Sequence, residues 1–271
     1  MEDSHIINPT GSVSMFAVFD GHGGDEVALK VEKIGYERIV SKLETAGKES
    51  VSVADAKKLL EKNADLGFRE IDKELLQLNT DSGCTANVVL VTKRLITCAN
   101  LGDSRSILCR GGMAMALSKD HKPTDEGETD RIKKAGGTVI RGRVCGAVAV
   151  SRSFGDFSFK ENKELDAAKQ QISCCPDFIH FERDEAEDEF LLICCDGIWD
   201  MLDNDAACRY VRTRLQAGND DLEDIGGRLL DFCLERGSKD NMTVVIVLLA
   251  AGMKLVKENK PKNRTFGLCV E

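Results

Sequence analysis

Four aspartates stand where an apolar run gives way to a turn. Asp20 closes Phe16-Ala17-Val18-Phe19 and is followed by Gly21-His22-Gly23-Gly24. Asp103 lies in Gly102-Asp103-Ser104-Arg105, between two apolar stretches. Asp196 follows the run 190–195 and begins Asp196-Gly197-Ile198-Trp199-Asp200. Asp240 precedes Asn241 and the last apolar run. Strand ends hold side chains rigidly and leave their carboxylates at the rim of a sheet. Several carboxylates converging there repel one another unless a cation lies between them. Oxygen donors without a His or Cys cluster suit Mg²⁺ or Mn²⁺. Glycine beside the aspartate permits close approach of backbone or water. Taken singly, each Asp-Gly step is better explained as a turn; for the four together, both readings stay open.

The elements that would position these residues follow from hydrophobic periodicity. Residues 14–20 predict a strand ending at Asp20-Gly21. Residues 25–43 and 53–78 predict helices, the second with Leu60, Ala64, Phe68, Ile71 and Leu75 on one stripe. The period then becomes two, with strands expected over 84–91, 94–100, 104–110 and 113–117, joined by breaks short enough for antiparallel hairpins. A polar helix follows, with Thr124 as candidate N-cap and Gly136-Gly137 at its end. Residues 161–170 read as an exposed loop or short helix. A buried strand is expected over 190–195, helices over 204–216 and 222–235, and a final strand over 242–249. Helices that come in pairs around runs of strands argue for an α+β fold with antiparallel sheets covered by helices.

Composition narrows the function classes. The chain has 271 residues, 42% hydrophobic and 31% charged, enough for a sizeable core. Its formal net charge of -9 argues against nucleic acid as a partner, since phosphate backbones need an electropositive face. Bound divalent ions would still let an acidic pocket accept a phosphorylated substrate. The 11 cysteines show no zinc-finger spacing and fit a reducing compartment. The expected location is the cytoplasm, with the nucleus also open. The start, Met1-Glu2-Asp3-Ser4, lacks a signal pattern, and no apolar stretch is long enough for a membrane span. The expectation is a monomer with no membrane partner.

Phe16-Ala17-Val18-Phe19-Asp20-Gly21-His22-Gly23-Gly24 resembles the hallmark of the metal-dependent protein phosphatase family of type 2C. The resemblance continues in order through Glu2-Asp3 with His5, Ser82-Gly83-Cys84-Thr85-Ala86, Ala99-Asn100-Leu101-Gly102-Asp103-Ser104-Arg105, and Leu117 to Pro123. Arg131 to Gly137, Ala149 to Asp156, Cys195 to Asp200 and Ser238 to Thr243 complete it. It spans nearly the whole chain. What it implies is a four-layer α-β-β-α sandwich of two antiparallel sheets, with two Mg²⁺ or Mn²⁺ ions at one end and phosphoprotein substrates. By the same resemblance, Asp20 bridges both ions, Gly21 offers its carbonyl, Asp196 and Asp240 bind the second ion, and Glu2 and Asp3 hold metal-bound waters. Asp103 and Asp200 resemble the acids of a third, weaker site. A water bridging the ions would attack phosphorus, and His22 would protonate the leaving Ser or Thr oxygen. Cys84 is not expected to be a nucleophile, because Cys84-Thr85-Ala86-Asn87-Val88 lacks a phosphate-cradling loop ending in Arg. A substrate-binding role for Arg141, Arg143 or Arg152 stands against plain salt bridging.

The catalytic domain is expected over 1–253 and a loose basic tail over 254–271. The family pattern has residues before its early acidic motif, including first strands and an arginine that binds substrate phosphate. These have no counterpart before Met1, which predicts a bare sheet edge or a gap in the core. The alternative to an active phosphatase is a phosphatase-like domain that is weakly active or inactive and acts as a protein-binding regulator.

Overall fold

The computed structural model describes residues 1–43, 46–48, 50–218, 220–256 and 265–270. In chain order the main elements are β1 (Ser4–Asn8), β2 (Ser14–Phe19), α1 (Glu26–Val40), α2 (Val53–Leu75), β3 (Ala86–Val91), β4 (Leu95–Leu101), β5 (Arg105–Arg110) and β6 (Met113–Ala116). Then come α3 (Glu126–Lys134), β7 (Asp177–Glu182), β8 (Asp188–Cys194), α4 (Asn204–Ala217), α5 (Leu222–Glu235), β9 (Met242–Leu248) and β10 (Thr265–Val270).

The strands form two five-stranded antiparallel sheets, β1-β2-β3-β4-β7 and β10-β9-β8-β5-β6. Side-chain alternation explains why the central strands read as continuous apolar runs. In β2, Met15, Ala17 and Phe19 face the core under α1 and α2, while Phe16 and Val18 face the opposite sheet. In β8, Phe190, Leu192 and Cys194 pack under α4 and α5, while Leu191 and Ile193 meet the first sheet. A strand covered on both faces has no polar side to show. The result is the expected α-β-β-α sandwich, with one core between the sheets and one beneath each helical pair.

The helices begin and end for local reasons. The Ser52 hydroxyl accepts from the Asp55 N–H at 3.1 Å and caps α2. Asp221 and Asp224 form a capping box at the start of α5. The polar helix starts one residue later than the sequence suggests, with Asp125 rather than Thr124 at its N-cap. Of residues 161–170, Ala167–Lys169 form a single 3₁₀ turn capped by Asp166. No helix among the described residues is long and apolar enough to cross a membrane.

Two edges carry strands that the periodicity did not place. Strand β1 pairs with β2 from Ser4↔Phe19 to Asn8↔Met15, so the first sheet begins immediately after the early acidic residues. The expected loose tail over 254–271 is corrected in part. Residues 257–264 and 271 lie outside the described residues, but β10 pairs with β9 from Thr265↔Val247 to Val270↔Met242 and forms the sheet's edge. The reason is an apolar segment matched to its site. Gly226 in α5 lets Phe266 lie against the helix, since a Cβ there would stand 2.2 Å from the ring. His5 Nδ1 lies 3.2 Å from Cys269 Sγ, which ties the strand to β1 across the rim.

Candidate active site

At one end of the sandwich a cavity of about 620 Å³ is lined by Glu2, Asp20, Gly21, His22, Asp103, Asp196 and Asp240. Their supports are strand ends. Asp20 follows β2, Asp103 sits in the turn between β4 and β5, and Asp196 opens the one-turn helix Asp196–Trp199 after β8. Asp240 precedes β9. Beside Asp20, three short strands, Gly21–His22, Gly83–Cys84 and Phe154–Gly155, form a small sheet that closes the site's floor. The Asp20 N–H donates to Thr85 Oγ1 at 3.2 Å, and the Thr85 N–H donates to the Asp20 carbonyl at 2.8 Å. The Asp20 backbone is therefore locked from both sides.

The early acidic residues are held in place. The Glu2 N–H donates to Asn241 Oδ1 at 2.8 Å, and Glu2 Oε1 accepts from the Gly24 N–H at 2.6 Å. Gly21 permits this approach: a Cβ would stand 2.2 Å from the Glu2 carbonyl oxygen. Asp3 is buried behind the cavity. Its Oδ2 accepts from the Thr243 hydroxyl at 2.7 Å, while Oδ1 is buried without a hydrogen-bond partner among the described residues. Asp200 is exposed and caps the one-turn helix; it is not among the residues lining the cavity.

Electrostatics mark the cluster as strained. Burial, reinforced by the charges of Asp3, Asp196, Asp103 and Asp240, holds the Asp20 carboxyl well above the usual range. Burial and the charges of Asp103, Asp240 and Asp200 push Asp196 up to about 7. Burial raises Asp103 despite its ion pair with Lys122. Burial also raises Asp3, against the Thr243 hydrogen bond. Among the described residues, no three His, Cys, Asp or Glu side chains are gathered closely enough to make a ready cation cage. The donor set nonetheless fits hard divalent ions. It consists of oxygens, it is crowded with buried negative charge, and it contains the orphaned Asp3 Oδ1.

His22 has a partner that the sequence did not reveal. Its Nε2 lies 2.8 Å from Asp156 Oδ2, an oxygen that also accepts from the Ser153 hydroxyl. Asp156 is buried, with φ at +50°, and the Gly155 N–H beside it donates to Asp72 Oδ1 at 2.9 Å. Burial lowers the His22 pKa, but the hydrogen bond and charge of Asp156, with Asp103 and Glu2, raise it overall. Gly83 makes the pairing possible. A Cβ there would stand 2.2 Å from Asp156 Oδ2 and 2.6 Å from His22 Nε2. The signal available in the sequence was the Gly155-Asp156 step, which shares the Gly-Asp form of Gly102-Asp103.

The arginines divide. Arg143 lines the cavity, with Nη1 donating to the Ala147 carbonyl at 2.8 Å. Arg141 is exposed, has φ at +51°, and is not among the lining residues. Arg152 is committed to Glu128 and Asp177, each at 2.7 Å. His121 is structural: Nδ1 accepts from the Gly102 N–H at 3.1 Å and Nε2 lies 3.1 Å from Asp177. Trp199 is a core residue whose Nε1 donates to the Cys194 carbonyl at 2.9 Å. Cys84 is fully buried, and burial first, then the charges of Asp156 and Asp20, push its thiol far up, as suits a packing residue.

Residues 1–242 match the family model described as protein phosphatase 2C. Human protein phosphatase 1A is 37% identical over 270 residues, covering 95% of this chain and 69% of that protein. Among solved structures, a sex-determining protein of C. elegans superposes with a TM-score of 0.77 at 25% identity, over 94% of this chain and 62% of that one. A phosphatase from a pathogenic strain of Toxoplasma gondii superposes with a TM-score of 0.73 at 24% identity, over 99% of this chain and 96% of that one. Fold and relatives together define a protein phosphatase. The chain belongs to the protein phosphatase 2C family, a metal-dependent one.

Proposed function

We propose that this cavity hydrolyses phosphoserine and phosphothreonine on proteins, with His22 as general acid. The observation that carries the reading is the convergence of Glu2, Asp20, Asp103, Asp196 and Asp240 on one cavity that also holds the His22–Asp156 pair. Asp20, Asp196, Asp240 and the Gly21 carbonyl would hold two divalent ions, Mg²⁺ or Mn²⁺, with Glu2 and Asp3 behind them and Asp103 and Asp200 at a third, weaker position. Such ions supply charge neutralisation at the phosphoryl group and an activated water.

The chain's own residues do the rest. Asp156 accepts from His22 Nε2 and favours the imidazolium, which leaves Nδ1 to give its proton to the departing alkoxide. Arg143 on the cavity wall offers a guanidinium to the phosphoryl oxygens. Substrates are phosphoproteins, and the working compartment is a reducing one, cytoplasmic or nuclear, with the chain as a monomer.

The test is release of phosphate from a phosphothreonine peptide with and without Mn²⁺, beside Asp20→Asn. Metal-dependent release lost in the variant supports the reading. No release above the variant from folded protein overturns it. That result would favour the second reading, a phosphatase-like binding domain. Stabilisation of the wild type by Mn²⁺, absent in Asp20→Asn, checks ion binding apart from turnover.

A further inference from the structure

A second cavity, of about 810 Å³, lies between α4 and α5 and shares no lining residue with the acidic one. Its lining includes four arginines, Arg209, Arg214, Arg228 and Arg236, against one acid, Asp220. This is a concentrated positive site on a chain of formal net charge -9. Its floor is aromatic. Tyr210 and Phe232 pack at a tilt of 34° with ring centroids 5.0 Å apart, and the Tyr210 hydroxyl donates to the Arg228 carbonyl at 2.7 Å. The Arg214 guanidinium lies 4.5 Å from the Tyr210 centroid and that of Arg236 lies 4.4 Å from the Phe232 centroid.

The cations are poorly compensated. Arg214 and Arg228 share one carboxylate oxygen of Asp220, at 3.4 and 3.6 Å. Arg236 donates to the Met201 carbonyl at 3.2 Å and has no carboxylate partner among the described residues. Arg209 is exposed and has neither an ion pair nor a hydrogen bond among them. Guanidiniums laid on rings are held in place with N–H edges still free to bind carboxylates.

We propose that this groove docks a short acidic peptide segment of a partner protein, its carboxylates on the arginines and an apolar side chain on the Tyr210–Phe232 floor. The dimensions favour a peptide over a lone phosphate. Arg228 and Arg236 are eight residues apart on one helix face, about 12 Å along the axis. An extended chain covers that in about four residues, whereas one phosphate reaches one end of it. The two helices also carry Asp205, Glu223, Asp224, Asp231 and Glu235, which confine the positive potential to the groove and disfavour a long polyanion such as nucleic acid.

The probe is a short fluorescein-labelled peptide of Glu and Asp residues containing one Leu and one Phe, followed by anisotropy at about 0.15 M salt. The readout is binding, so its outcome is separate from that of the proposed reaction. The expected result is saturable binding, weakened about 10-fold for each arginine removed in Arg209→Gln/Arg236→Gln, and abolished in Arg209→Glu/Arg236→Glu. Both variants should melt and turn over a small phosphopeptide like the parent. Any of three results overturns the proposal: no binding, equal binding by parent and both variants, or displacement of the peptide by inorganic phosphate or a single-stranded oligonucleotide at equal concentration.

Discussion

Glu128 is a buried carboxylate whose removal should cost the protein stability in a pH-dependent way. Its Oε1 accepts from Arg152 Nη2 at 2.7 Å, and its Oε2 from Arg131 Nη1 at 2.6 Å and the Ser151 hydroxyl at 2.5 Å. Burial alone would raise its pKa. The Arg152 hydrogen bond, then the charges of Arg131 and Arg152 and the Ser151 bond, outweigh burial and hold it at about 2, against 4.5 unperturbed. That gap is worth about 3 kcal/mol. Because the folded-state value is depressed, this contribution is fully present above pH ~4.5 and fades as pH falls towards 2. At pH ~3 roughly half of it or less should remain. Glu128→Gln should therefore lose about 3 kcal/mol at neutral pH, roughly 10 °C in Tm for a domain of this size. Urea unfolding of parent and variant between pH 7 and pH 3 measures the gap. A gap under about 1 kcal/mol at neutral pH, or one that does not shrink on acidification, would refute the reasoning.

Gly83→Ala should force His22 and Asp156 apart and lower kcat on a phosphothreonine peptide by about 10²-fold or more. Turnover of an aryl phosphate, whose phenolate leaves without a proton, should suffer far less; equal losses on both substrates would sink the proton-donor role. Gly226→Ala should expel the Phe266 ring from α5 and cost about 1–3 kcal/mol, with faster amide exchange in residues 265–270 than elsewhere in that sheet. Uniform exchange in parent and variant would contradict the packing described for β10.

Much of the site was legible because strand ends announce themselves. Asp20, Asp103, Asp196 and Asp240 each break an apolar run, and the fold brings all four to one cavity. What was not legible depends on long-range packing. The His22–Asp156 bond joins residues 134 positions apart, and no local pattern encodes it. Asp200 shares a motif with Asp196 but turns to the exposed end of a one-turn helix. Strand β7 escaped notice because Asp177, His180 and Glu182 dilute its alternation, as suits a half-buried edge. Strand β10 was hidden by the lysine-rich stretch before it, which made the whole segment read as polar.

That last strand also bears on how the protein is made. Its residues are the latest of the described chain to be synthesised, and they contact His5, among the earliest, 264 positions away. A ribosome delivering the chain from its first residue can complete the sheet of β1 to β7 without them. The other sheet must wait, with the outer N–H and C=O groups of β9 exposed to any passing strand. Pairing of residues 265–270 then closes that edge, and a chaperone that shields it would be needed only until then.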